Sequence, residues 1–428
     1  MEDEIMKRKM IVFFLFCCLV VNVFSAGQKE ATGSKKPAEK VELKFWKGGM
    51  DAIYHDYWLD FIDRFESKNP NVKIEYAEAP FGQQLDTKLN AAYASGVSPD
   101  IISNAISEVS KRSDLGQYEI LDPYFDKWSG KSDIQESIVE LGRYRGDLTG
   151  LAYTPIAEIF AYRKDFFKEA GLDPQSTPAN WSELADYSKK LTVKKGNMVE
   201  RSGWVIPIDG FKIFTSFARE LGAEFVTADR LPSFDGPKCI ETLKYLTKLY
   251  KDQIVSAEIT QKQENQQSLF VLGRAAMAVV QPTWIGRMIK EDPGVKENFG
   301  FFLVNKNPGG TWCGAHLMHI SSESQYKEEA WEFVKASMAK EEMWNRYKKT
   351  GAVTIRKSLN SDYINDDPFI NGYILEGVKV GKGALKVPWF GLFSKKYFPQ
   401  AQQEAFYGKK TPEQALRDNM ALIMKEVK

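Results

Sequence analysis

The sequence predicts an α/β fold spread over two or three domains, and three observations carry that expectation. A chain of 428 residues is longer than one ordinary hydrophobic core organises. Between Val41 and Ser103, strand-like alternation and helix-like spacing take turns, as they do in a parallel sheet with helical crossovers. With 43% hydrophobic and 27% charged residues, the composition is that of a folded soluble protein.

The elements follow in order. "VELKFW" (41–46) alternates Val41, Leu43 and Phe45 with polar partners, as a strand does. "IYHDYWLDFIDRFESKNP" (53–70) sets Tyr57, Phe61, Ile62 and Phe65 at helical spacing and stops at Asn69-Pro70. "VKIEYAEA" reads as a second strand, "FGQQLDTKLNAAYASGV" as a second helix ending near Gly96, and "PDIIS" as a third strand. "GLAYTPIAEIFAYRKDFFKEAGL" (150–172) is extended and then helical up to Gly171. "TPANWSELADYSKKLT" (177–192) predicts a capped helix, with Asn180 just before it and Glu183 three positions on. Residues 236–252, 267–284 and 326–348 add amphipathic segments, and "TPEQALRDNMALIMKEVK" closes the chain as a helix.

The N-terminus has the form of an export signal. Lys7, Arg8 and Lys9 precede the apolar run "MIVFFLFCCLVVNVF" (10–24), and small residues in "FSA" place the cut after Ala26. The run falls short of the ~20 residues of a membrane span. Cys17 and Cys18 lie inside it instead of at its end, so the expectation is a cleaved signal (1–26), a flexible leader (27–40) and a lipid-free protein in the periplasm. Cys239 and Cys313 then remain; one disulfide is open to them, though nothing in their spacing demands it.

Charge excludes some partners. Lys+Arg of 58 against Asp+Glu of 57 leaves +1, which gives no field for nucleic acid or anionic lipid. No phosphate loop, nucleophile elbow or HExxH helix is present, so neither catalytic residues nor a cofactor are expected. Abundant carboxylates keep a carbohydrate-active enzyme as the rival reading.

"NPGGTWCGAHLMHIS" (307–321) gathers one Cys and two His, as a metal site would. Placed between a Gly-Gly turn and a helix start, it reads as a strand, where alternate residues share a face. Trp312, Gly314 and His316 then lie together, with Cys313 and His319 on the other side. Ligands that do not converge hold no ion, so no metal site is expected here.

"AAYASGVSPDII", "GLAYTPIAEIFAYRKDFFKEAGLDPQSTPANWSEL", "FVLGRAAMAVVQPTW", "YKEEAWEFVK…TGAVTIRKSL" and "YGKKTPEQAL" stand in this order from about residue 41 to the C-terminus. Together they resemble extracellular solute-binding proteins of the sugar-binding class, relatives of the maltose-binding protein. That resemblance implies a two-lobed periplasmic-binding-protein fold with discontinuous lobes, a hinge and an interlobe cleft. It puts crossings near Tyr153–Pro155, Phe301–Asn305 and Tyr347–Gly351, hence lobes of 41–153 with 305–346 and of 154–304 with 347–428. It further implies a monomer that binds a carbohydrate and hands it to the permease subunits of an ABC transporter. A sensory protein docking a receptor would use the same fold.

Sugar recognition needs aromatic faces against the apolar faces of the ring and polar groups for the hydroxyls. Trp46 and Lys47, followed by Gly48–Gly49, end the first strand, where parallel sheets open on a crevice. Gln83 opens the next helix. The resemblance places ligands near Ser103, Asn104 and Ser107; maltose-binding relatives carry an aromatic where this chain has Asn104, which speaks against a maltodextrin. It also points to Glu158, just past the first crossing, and to Trp284 in "QPTWIG", whose counterpart stacks on the ligand. Trp389 in "KVPWFGLF" matches another stacking position. Trp312, Gly314 and His316 complete the candidate set.

Overall fold

Alternation in the first strand is realised as burial: Val41, Leu43 and Phe45 are buried and Glu42 is exposed. The computed structural model describes residues 40–206, 210–255, 269–281, 285, 294–304 and 308–427. The export signal, most of the leader and Trp284 lie outside the described residues.

Ten strands build two sheets among the described residues: β1 (Val41–Gly48), β2 (Val72–Ala79), β3 (Ile101–Ala105), β4 (Leu151–Ala157), β5 (Ile159–Arg163), β6 (Val193–Lys195), β7 (Met198–Val205), β8 (Ala275–Val280), β9 (Phe299–Phe302) and β10 (Cys313–Ile320). The first sheet runs β2-β1-β3-β10-β4 and the second β9-β5-β8-β7-β6. β1 pairs in parallel with β2 and β3, while β10 is antiparallel to β3 and β4. The carboxyl ends of β1, β2, β3 and β4 therefore lie at one edge, beside the start of β10.

The helices used below are α1 (Ala52–Lys68), α2 (Gln83–Ala94), α3 (Ile106–Asp114), α4 (Trp181–Leu191), α5 (Phe211–Glu220), α6 (Lys327–Ser337), α7 (Lys340–Thr350) and α8 (Asn371–Val380). Asp51 caps α1 by accepting from the Ile53 and Tyr54 amides, and the helix buries Tyr57, Phe61, Ile62 and Phe65 as their spacing predicts. Phe45 meets Trp58 of α1 edge-on at 5.2 Å, and Phe333 of α6 lies 5.3 Å from Phe45. The opposite face of the sheet packs Trp46 and Ile102 against Leu85 and Leu89 of α2.

The second sheet has a core on each face. Phe160, Trp204, Met277 and Phe302 pack with Phe214 and Phe217 of α5. Ile159, Ala161, Ala278 and Phe301 pack with Ile374 and Val378 of α8, and this core is continuous with that of the first sheet. Asn180 caps α4 as its sequence predicts, its side-chain oxygen accepting from the Glu183 amide at 3.0 Å while Glu183 accepts from the Ala179 amide. Asn180→Ala is expected to lower stability by ~1 kcal/mol, measured by urea unfolding.

The chain passes from the first sheet to the second at Glu158, because β4 continues through Ala157, beyond the Tyr153–Pro155 region. It returns through 308–312 into β10 and leaves α7 at Gly351, whose φ of 75° suits a glycine. A bulge marks the first passage: Thr154 faces His316 but Ala152 faces Leu317, leaving Tyr153 as the extra residue. Buried Arg346 of α7 holds that bulge, donating to the Tyr153 carbonyl at 2.9 Å with the rings of Tyr57, Trp58 and Tyr153 around it. Among the described residues no helix is long and apolar enough to cross a membrane.

Candidate functional site: the cleft between the two sheets

Three stretches of chain meet where the sheets join, held by backbone hydrogen bonds. The Glu158 amide donates to the Trp312 carbonyl at 2.9 Å, the Lys382 amide to Thr311 at 3.1 Å and the Cys313 amide to Lys382 at 3.2 Å. The Thr311 hydroxyl donates to the Glu158 carbonyl. Residues 380–383 approach this closely because two glycines allow it. A β-carbon on Gly381 would lie 2.5 Å from the Cys313 β-carbon, and one on Gly383 2.9 Å from the Cys313 carbonyl oxygen. Segments that exchange a few hydrogen bonds at element ends are where a hinge absorbs its rotation.

On the first-sheet side, Lys47 is 3% exposed and donates to Glu78 at 2.8 Å and to the Gly49 carbonyl at 2.7 Å. Tyr76 also donates to Glu78, and His55 lies 3.2 Å from its other oxygen. Burial works against ionisation of Glu78, but the Lys47 and Tyr76 hydrogen bonds and the Lys47 charge outweigh it and hold the carboxyl below its usual range. Ser103, in register with Lys47, hydrogen-bonds Tyr153 at 2.8 Å. Phe81 covers this edge: its ring stands 4.7 Å from that of His316, and β-carbons on Gly48 or Gly49 would run into it.

On the second-sheet side, Trp312 is buried between two rings, parallel to Phe390 at 6.1 Å and edge-on to Phe211 at 5.3 Å. Glu158 is ion-paired with Lys212. Gly314 lies under the indole, since a β-carbon there would sit 3.2 Å from Trp312 Nε1. The glycine that sequence parity placed beside Trp312 makes room for the tryptophan ring.

The candidates divide by face. Lys47, His316, Gly314, Trp312 and Glu158 gather around the crossing, and Phe81, Phe211 and Phe390 join them without having been singled out in the sequence. Gly48–Gly49 was the available signal for Phe81, because paired glycines at a strand end announce a close neighbour without naming it. Trp46 projects to the opposite face of β1, where the Lys88 ammonium stands 3.8 Å from its ring centre. Asn104 shares that opposite face, with its amide oxygen accepting from the Ala105 amide and its nitrogen 3.4 Å from the Tyr118 hydroxyl. Gln83 is exposed at the start of α2. Trp389 packs in the second core with Nε1 donating to the Arg230 carbonyl at 2.8 Å.

The cysteine–histidine stretch behaves as its alternation predicts. His316 meets Phe81 and Tyr153, whereas His319 stacks on Tyr118 at 3.8 Å on the other face. Cys313 and His319 share a parity but stand six positions apart, roughly 20 Å along a strand. Cys239 and Cys313 are both free and buried, and burial pushes their thiols up to about 12. Burial pushes both histidines down to about 4; the Lys47 charge adds to this at His316, and the Thr149 hydrogen bond opposes it at His319.

Two sheets joined by hydrogen-bonded crossings, with polar and aromatic side chains at their facing ends, define a two-lobed binding protein. The chain belongs to the bacterial extracellular solute-binding protein family, which residues 52–344 match. An sn-glycerol-3-phosphate-binding periplasmic protein of Pectobacterium atrosepticum is 25% identical over 245 residues, covering 55% of this chain and 52% of that one. The chain thus spans about half the length of the curated relatives it matches. An ABC transporter solute-binding protein of Thermotoga lettingae, solved with α-D-tagatose, superposes with a TM-score of 0.75 at 22% identity over 90% of this chain and 99% of its own. An ABC substrate-binding protein of Listeria monocytogenes, solved with cycloalternan, gives a TM-score of 0.75 at 20% identity over 91% and 99%.

Proposed function

We propose that this protein captures a carbohydrate between its lobes and delivers it, chemically unchanged, to the permease subunits of an ABC transporter. It works as a periplasmic monomer after removal of residues 1–26, and its lobes close about Glu158, residues 308–312 and the chain after Thr350. The observation that carries this reading is the pairing of surfaces at the crossing. Phe81 and His316 offer an aromatic edge beside the Lys47–Glu78 pair, and Trp312 with Phe211 and Phe390 offers another beside Glu158–Lys212. Stacking faces flanked by fixed polar groups suit a sugar ring. Proteins of the same fold bind α-D-tagatose and cycloalternan, and the Pectobacterium relative is named for a phosphorylated polyol. Closure is favoured by a ligand because both lobes touch it only when closed.

Titrating the intrinsic tryptophan fluorescence of the mature protein with a sugar panel, then recovering the ligand, tests the reading. Saturable binding with intact ligand is expected; converted ligand would make the protein an enzyme, and silence across the panel would remove the carbohydrate. Phe81→Ala is expected to weaken binding by about 1–2 kcal/mol, roughly five- to thirtyfold in the dissociation constant.

A further inference from the structure

A cavity of about 520 Å³ opens between α3 and the chain that follows α8. That is the size of a small-ligand site. Ile106, Leu141 and Val380 give it an apolar wall, and the Ser110 hydroxyl adds a polar group.

Its charge is one-sided. Five basic side chains line it against the single carboxylate of Glu140. Three of the five have acidic partners: Arg143 pairs with Asp122 and Glu140, Lys386 with Glu140 and Lys379 with Glu376. Arg219 and Lys382 have no carboxylate within ion-pair distance among the described residues. Arg219, on the last turn of α5, is held in place by donating to the Lys382 and Gly383 carbonyls at 3.2 and 2.9 Å. Burial pushes its guanidinium down to about 10, so it stays charged at neutral pH. Arg219 is half-buried, and among the described residues its hydrogen bonds go only to neutral acceptors, so its charge is available to an anion entering the cavity. Arginine with a neighbouring lysine is a pairing suited to the oxygens of a phosphate or carboxylate.

We infer that this cavity seats an anionic group of the solute, a phosphate ester or a carboxylate on a polyol, held by Arg219 and Lys382 with only the carbons next to that group against Ile106, Leu141 and Val380. The assignment rests on the solute-capture reading and specifies what kind of solute it is.

Calorimetric titration of the mature protein with glucose, glucose 6-phosphate, glucuronate, sn-glycerol 3-phosphate and inorganic phosphate tests it, alongside the sugar panel above. At least one charged probe is expected to bind tenfold or more tighter than glucose, and the phosphate and carboxylate arms tell the two anions apart. Lys382→Gln, which breaks no side-chain hydrogen bond among the described residues, should cut that preference at least about fivefold with the melting temperature unchanged. Arg219→Gln should abolish the preference and Arg219→Lys should retain part of it. Neutral sugars binding as tightly as charged ones, or a preference untouched by Lys382→Gln, overturns the anion site and leaves solute capture standing. Failure of every sugar and every anion to bind overturns both.

Discussion

The unfolding free energy is expected to fall steeply as pH drops from about 6.5 to 4, with His319 as the main cause. This residue is fully buried, stacked on Tyr118 and packed so tightly against Gly150 that a β-carbon there would lie 2.3 Å from the ring. Its Nδ1 stands 2.7 Å from the Thr149 carbonyl oxygen, which fixes the neutral ring as the Nδ1–H tautomer. Among the described residues Nε2 is buried without a partner, so a proton added there finds no acceptor among them. Burial accordingly pushes the group down to about 4 from its ordinary 6.5. Between those values the unfolded chain binds a proton that the folded chain does not, so stability is complete above pH 6.5 and is lost as pH falls toward 4. A shift of that size is worth about 3 kcal/mol. His316, lowered by burial and by Lys47, adds in the same direction, with a smaller share because its ring is partly open to solvent. Urea titrations across this range check the expectation. His319→Gln keeps a donor for Thr149 without the titrating ring and should flatten the curve; an equal slope in both proteins would clear His319 of the effect.

Much of this architecture is legible in the sequence because it is written in local periodicity. The α1 positions Tyr57, Phe61, Ile62 and Phe65, the Asn180 cap and the opposed faces of His316 and His319 all follow from spacings of two, three or four residues. Strand alternation also separates Trp46 from Lys47, since neighbours on one strand cannot line the same wall. Only the pairing of strands shows which wall each one faces. Lys47 meets Glu78 because β1 and β2 align Trp46 with Ala77 and Lys47 with Glu78, a register that neither segment states alone. Phe81 over Gly48 and Phe390 over Trp312 are contacts between distant stretches, and no pattern within either stretch encodes them. The 380–383 segment carries two glycines, yet its role as a third segment of the crossing depends on the clearance that Gly381 and Gly383 leave beside Cys313, which its sequence does not state.

Trp312→Ala is expected to cost both stability and ligand binding, and its comparison with Trp389→Ala separates a wall of the site from the core behind it. Both tryptophans are 6% exposed and both belong to the second core. Truncating either should lower stability by about 3–5 kcal/mol, the range for a buried aromatic. Their positions differ. Trp389 is tied to the Arg230 carbonyl, whereas the Trp312 backbone receives the Glu158 amide at the crossing and its ring covers Gly314, two residues from His316 on the same face. Losing the Trp312 ring removes the stack with Phe390 and leaves space where the hinge segments meet. Trp312→Phe, which preserves that stack and lacks the indole nitrogen over Gly314, should recover most of the stability and only part of the affinity. Melting curves with and without the solute identified by titration make the distinction. The ligand-induced rise in melting temperature should survive in Trp389→Ala and vanish in Trp312→Ala, because only a folded protein that binds gains stability from its ligand. Equal ligand-induced rises in the two variants would remove Trp312 from the site and return it to the core.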